Sequence, residues 1–184
     1  RPEVVADLQP LPFRHLLDVG GASGTWTFAW LRANLEARAT IFDLPHAIDL
    51  ARASVAKEGL GDRIRLVAGD FYVDPLPEGA DLAWVSAIVH QNSREQNRRL
   101  FASIHQSLDD DGRILIRDLV MDESRTAPVA GALFAINMLV NTEAGGTFTF
   151  AELASDLEAA GFARASLIRD EPSMNSVISA EKAR

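Results

Sequence analysis

Cysteine is absent from this 184-residue sequence, which excludes a disulfide framework and thiolate metal ligation and is compatible with a reducing compartment. Positive charge is scarce. The 18 Lys and Arg residues face 26 Asp and Glu residues, a net charge of −8, and no long basic run exists to track phosphates, so nucleic acid is not an expected partner. No apolar stretch reaches the roughly 18 residues of a membrane span, and no charged segment precedes an apolar signal core. A cytoplasmic protein without a membrane partner is expected. HExxH and comparable spacings are missing, so no metal is expected. Repeats, low-complexity tracts and linkers rich in Gly, Ser and Pro are missing too. With 47% hydrophobic residues, a chain of this length buries one substantial core, and residues 1–184 are read as one domain.

What is present is an alternation. Short β-type apolar runs at 15–19, 40–43, 63–67, 81–86 and 113–119 are separated by helical patterns at 25–37, 45–58 and 94–108. That order predicts an α/β fold, a mostly parallel sheet with helices on both faces. Residues 72–79 contain prolines and read as a loop. Beyond the fifth run come a helix at 128–141, a Gly145-Gly146 link and an amphipathic helix at 150–160 stopped by Gly161. Strands at 164–169 and 176–180 then follow, close enough in sequence for an antiparallel pair.

The first strand ends in Asp18-Val19-Gly20-Gly21-Ala22-Ser23-Gly24 and runs into a helix. Such a turn of very small residues at a carboxyl strand end lets a ligand approach the backbone closely. The dinucleotide fingerprint GxGxxG is not met, because from Gly20 its second and third glycines would fall on Ala22 and Thr25. That counts against a nicotinamide oxidoreductase. The second strand ends in Phe42-Asp43-Leu44-Pro45, a carboxylate where such folds accept hydrogen bonds from ribose hydroxyls. The plainer alternatives are a tight strand-to-helix turn for the glycines, a helix cap for Asp43 and a surface turn for Gly69-Asp70.

The segments LLDVGGASG from Leu16, IFDLPHAI from Ile41, VAGDFY from Val67, IVH from Ile88 and GRILIRDLVMDE from Gly112 occur in a telling order and spacing. In these the chain resembles the S-adenosylmethionine-dependent small-molecule O-methyltransferases, class I enzymes of the plant phenylpropanoid and bacterial polyketide-tailoring type. The resemblance implies a Rossmann-like fold, with a mostly parallel seven-stranded sheet and an antiparallel C-terminal strand. It also implies S-adenosylmethionine as methyl donor, with S-adenosylhomocysteine as product. Gly20, Gly21 and Gly24 would lie along the cofactor's amino-acid tail with Asp18 close by. Asp43, with Leu44 beside it, would take the ribose, and Asp70 and Phe71 the adenine. Ser86 falls in the cofactor set at a position where many relatives carry lysine.

His90 follows the fourth strand and precedes a helix opened by a Ser93–Gln96 capping box. A neutral imidazole can take the proton of a phenol of pKa about 10 while the oxygen attacks a methyl sulfonium. The resemblance makes His90 the general base and places at Asp118 the first of two acids that orient it. The second falls on Thr147, which is not acidic; Glu143 lies nearby. Relatives read His-Asp-Trp where this chain has His90-Gln91-Asn92. Phe134, Met138 and Asn141, with Asn137 and Leu139, fall where relatives bind the acceptor, although an apolar helix stripe is also ordinary core. The implied acceptor is a small aromatic or polyketide-like hydroxyl compound. Relatives also carry an N-terminal domain that homodimerises, and this chain starts about 15 residues before its first strand. It is therefore expected to be the catalytic part alone. Methyl transfer to nitrogen or carbon, or cofactor binding without methylation, remain alternatives on the same fold.

Overall fold

The computed structural model describes residues 2–183. A first short helix, α1 (Pro2–Asp7), leads into β1 (His15–Val19), α2 (Thr25–Ala33), β2 (Arg38–Asp43), α3 (Pro45–Glu58) and β3 (Ile64–Ala68). There follow β4 (Ala80–Ser86), a 3₁₀ turn (Val89–Gln91), α4 (Arg94–Ser107), β5 (Leu108–Asp118) and β6 (Val120–Met121). The chain continues through α5 (Val129–Asn141), β7 (Phe148–Thr149), α6 (Phe150–Ala159), β8 (Phe162–Arg169) and β9 (Ser176–Lys182). Seven strands form one sheet in the order β3-β2-β1-β4-β5-β9-β8. β9 pairs antiparallel with both neighbours, and the remaining ladders are parallel. This is the Rossmann-like class I methyltransferase fold.

Strand alternation sends successive side chains to opposite faces, and each face has its own core. Leu17, Val85 and Ile116 pack under α4 and α6 with Phe101, Ile104 and Leu157. Leu16, Trp84 and Leu115 pack under α1, α2 and α3 with Val5, Trp30 and Ile48. Both faces are covered, which is why the central strands are continuous apolar runs rather than alternating ones. Because β1 to β5 run parallel, their carboxyl ends share one edge, and Val19 lies opposite both Phe42 and Val85.

Some boundaries move. The helix expected over 25–37 ends at Ala33, where Asn34 leaves helical geometry and the Ala37 N–H returns to the Asn34 carbonyl; four residues must reverse the chain before β2. The fifth strand begins at Leu108, because the acidic turn Asp109–Gly112 is held as an irregularity between the Ala80–Leu108 and Leu82–Arg113 pairs. α1 and the two-residue parallel pair β6–β7 are additions to the expected elements. Among the described residues, no helix is long and apolar enough to cross a membrane.

Candidate active site

The glycine loop winds through left-handed backbone at Gly20, Ala22 and Gly24, with φ of 69°, 46° and 80°. Its floor is tightly packed. A Cβ on Gly20 would meet Ile88 Cδ1 at 2.7 Å, and one on Gly21 would meet the Asp18 carboxyl carbon at 2.8 Å. The open side of the loop faces a cleft of about 400 Å³ bordered by Gly20, Gly21, Ser23, Trp26, Ser86 and Arg117. Asp43 lies against the loop. Its carboxylate accepts the Ala22 N–H at 2.8 Å and the Leu44 N–H at 2.7 Å, so the two sequence motifs touch. Leu44 itself is exposed at the start of α3.

Asp18 is not brought to the cleft surface. It lies beneath the loop, 1% exposed, and accepts the Thr27 hydroxyl at 2.6 Å. It shapes the turn from below, because β1 carries its side chain inward under Gly21. Burial pushes the Asp18 carboxyl up to about 7, with the Thr27 hydrogen bond opposing and the Asp43 charge adding to the rise. A raised native value means that the fold favours the protonated acid. The stabilisation is therefore complete below the ordinary carboxylate range and is lost as pH climbs to about 7. Over that range the loss is on the order of 4 kcal/mol. Asp18→Asn should remove this dependence. Wild-type melting temperature is expected to fall more steeply than that of the variant between pH 5 and pH 8 in thermal scans; parallel curves would refute the assignment.

At the end of β3, Asp70 accepts the Tyr72 N–H at 2.9 Å and donates its own N–H to Asp74 at 2.8 Å. Phe71 packs against Tyr72 with ring centroids 4.5 Å apart and approaches Gly20. Gly20, Asp43, Asp70 and Phe71 thus line consecutive strand ends. Ser86, at the end of β4, accepts a hydrogen bond from Arg117 at 2.9 Å.

His90 sits in the 3₁₀ turn directly after β4, buried, with Nδ1 at 2.9 and 3.0 Å from the two Asp118 oxygens. Asp118, at the end of β5, is 1% exposed and also accepts the Leu119 N–H. A carboxylate only accepts, so it holds the proton on Nδ1 and leaves Nε2 as the accepting nitrogen. The Phe134 ring meets the imidazole edge-on, centroids 5.0 Å apart. The backbone of the turn is pinned as well: the Gly146 N–H donates to the His90 carbonyl, and the Asn97 amide donates to that of Val89. The two residues after His90 take opposite environments. Gln91 faces outward, whereas Asn92 is fully buried, donates to Asn97 and accepts the Tyr72 hydroxyl. One polar chain therefore connects the loop after β3 to the turn that carries His90.

The remaining expectations divide. Thr147 is buried, with its carbonyl accepting from Arg125, and Glu143 is exposed, with no side-chain hydrogen bond or ion pair among the described residues. Among the described residues Asp118 is the one acid bonded to His90. Of the acceptor candidates on α5, Phe134 reaches His90 and Met138 is buried. Asn141 does not join them; it is exposed, and its amide is spent on Asn137 one turn back. Leu139 is also exposed, as are Val129, Leu133, Ile136 and Val140. No group of three or more His, Asp or Glu residues suited to a metal occurs among the described residues. Arg117 and Trp26 were not anticipated from the sequence. A charged residue ending the run Ile114-Leu115-Ile116 was the available signal, since a strand buried on both faces rarely carries one.

The glycine-loop cleft at the parallel strand ends and the buried His–Asp pair stand on a class I methyltransferase fold. Residues 3–163 match the family described as "O-methyltransferase domain", and the chain belongs to that family. It is 37% identical over 171 residues, 92% of its own length, to 3-hydroxy-5-methyl-1-naphthoate 3-O-methyltransferase of Streptomyces sahachiroi, of which this covers 49%. To the tetracenomycin polyketide synthesis 8-O-methyl transferase TcmO of Streptomyces glaucescens it is 35% identical over 150 residues, 82% of this chain and 44% of that one. The structure of human N-acetylserotonin methyltransferase in complex with SAM superposes with a TM-score of 0.88 at 26% identity, covering 98% of this chain and 51% of the human one. The chain spans about half the length of the curated relatives it matches.

Proposed function

We propose that residues 1–184 are the catalytic domain of an enzyme that transfers a methyl group from S-adenosylmethionine to a hydroxyl of a small aromatic or polyketide-like acceptor. The observation that carries this reading is the buried His90–Asp118 pair, two residues beyond the Ile88 that packs on Gly20. The residues present fit the methyl donor: any side chain at Gly20 or Gly21 would collide with the floor of the loop, so the cradle is backbone, and carboxylates stand at the ends of β2 and β3. Asp43 is suited to accept from the ribose hydroxyls, Asp70 from the adenine amine, and the Phe71 ring offers an apolar face. When bound, the donor supplies an electrophilic methyl on a sulfonium that becomes a neutral thioether on leaving. His90 Nε2 takes the acceptor hydroxyl proton as the oxygen–methyl bond forms, and Asp118 stabilises the resulting imidazolium. Phe134 and Met138 would flank the acceptor. Most of the rate gain would come from alignment.

The exposed apolar row on α5 and the relatives' double length support a second part of the proposal. In the whole protein an N-terminal, homodimerising domain closes over the acceptor. The 184-residue piece is therefore expected to bind S-adenosylmethionine yet turn over slowly, and a chain of the relatives' length to form S-adenosylhomocysteine and an O-methyl ether with at least one hydroxylated aromatic. Calorimetry and a product assay over a panel of naphthols, phenols and hydroxylated polyketides test this. Absence of cofactor binding, or binding without methylation of any member by the longer chain, would sink the proposal.

A further inference from the structure

Arg117 and Asp118 are consecutive on β5, so they face opposite sides of the sheet. Asp118 serves His90 on one side; Arg117 borders the glycine-loop cleft on the other. Among the described residues, Trp26, Ser86 and Asn175 hold the guanidinium there. Its carbon stands 4.6 Å over the Trp26 ring of α2. Nη1 donates to Ser86 Oγ at 2.9 Å, and Nε and Nη2 both donate to Asn175 Oδ1, at 3.0 and 2.8 Å. Asn175 is itself tied down, donating to Glu171 and accepting Arg169 at its carbonyl. A long side chain is thus ordered before any ligand arrives, which lowers the entropic cost of binding.

Among the described residues that line this cleft, Arg117 is the one charged side chain. We propose that Arg117 recognises the carboxylate of the methyl donor's amino-acid tail. This rests on the proposed methyl-donor function. The tail carries an ammonium, a carboxylate and, before transfer, a sulfonium; a guanidinium repels the two cations, so the carboxylate is the group it can hold. The small Ser86 is part of the device: its hydroxyl accepts from Arg117, so the positive charge reaches this corner of the cleft from β5.

The test compares two ligands that share the thioether nucleoside and differ in the tail: S-adenosylhomocysteine, which has it, and 5′-methylthioadenosine, which lacks it. Calorimetric dissociation constants are measured for the wild-type protein, Arg117→Met and Arg117→Lys, with melting temperatures to confirm folding. Arg117→Met is expected to weaken S-adenosylhomocysteine on the order of 10- to 100-fold, the range of a charge-assisted hydrogen bond. Methylthioadenosine should change by less than about 2-fold, since it offers the guanidinium no partner. Arg117→Lys, which keeps the charge and loses the fork, should lie between. If Arg117→Met fails to fold, the lysine variant carries the comparison alone, and its selective loss of the tailed ligand supports the proposal. Equal weakening of both ligands would mean that Arg117 only maintains the cleft, and no weakening that it plays no part; either overturns the proposal. A wild-type protein that binds neither ligand overturns the methyl-donor reading itself.

Discussion

Asp43→Ala is expected to weaken S-adenosylmethionine binding by at least about 100-fold, because two charge-assisted hydrogen bonds at roughly 1.5–3 kcal/mol each are removed together. The carboxylate stands at the end of β2 facing the loop, and it already accepts the Ala22 and Leu44 N–H groups. The substitution therefore also leaves the Ala22 amide without its acceptor and loosens the turn that a ribose would meet. Asp43→Asn keeps the shape and one acceptor oxygen, and should fall between wild type and alanine. Asp43 is only partly buried, so folding should survive both changes, which a thermal melt can confirm. Calorimetry decides the matter: an Asp43→Ala protein binding within about 3-fold of wild type would be incompatible with two such hydrogen bonds.

His90→Ala, in a chain of the relatives' length, is expected to lower kcat by about 10²- to 10⁴-fold, the usual contribution of a positioned general base, while leaving cofactor affinity nearly unchanged. The separation follows from geometry, since the imidazole bonds to Asp118 and packs on Phe134 while the glycine-loop cleft is lined by other residues. Removing the ring leaves the buried Asp118 without that partner, so His90→Gln should be measured alongside. Asp118→Asn should also slow turnover. An amide can donate to Nδ1, which would move the ring proton to Nε2 and remove the accepting nitrogen. If His90→Ala retained full turnover on the natural acceptor, the proton would leave by another route, as for transfer to nitrogen or carbon.

The reach of the sequence differs from one feature to the next. Strand and helix order was legible because both faces of the sheet are covered, so the strands appear as apolar runs bounded by turn residues. The Ser93 capping box was legible because its partners lie three residues apart, and the structure shows both halves of it. The site candidates at positions 43, 70, 71, 90 and 118 came from their places near predicted strand ends together with the family likeness. The extent of β5 was not legible. Its first turn is acidic and gains strand character only by pairing with Ala80 of β4.

The side-chain partnerships were beyond reach for a related reason. Arg117 meets Ser86 and Asn175 across 31 and 58 residues of chain, and Tyr72 meets Asn92 only once β3 and β4 have delivered both ends of the contact. Nor could periodicity say that Asp18 would be sealed beneath the loop rather than presented to a ligand, or that Asn141 would bond to its own helix. By itself the sequence determined the α/β order, the glycine turn and the acidic strand ends, because local periodicity and backbone permissiveness are written in neighbouring residues. Tertiary structure alone decided the contact geometry, namely that Asp118 meets His90 at Nδ1, that Asp18 is sealed beneath the loop, and that Arg117 stands at the cleft. Those outcomes depend on strand register and on which face each side chain takes, and both are settled only when distant segments pair.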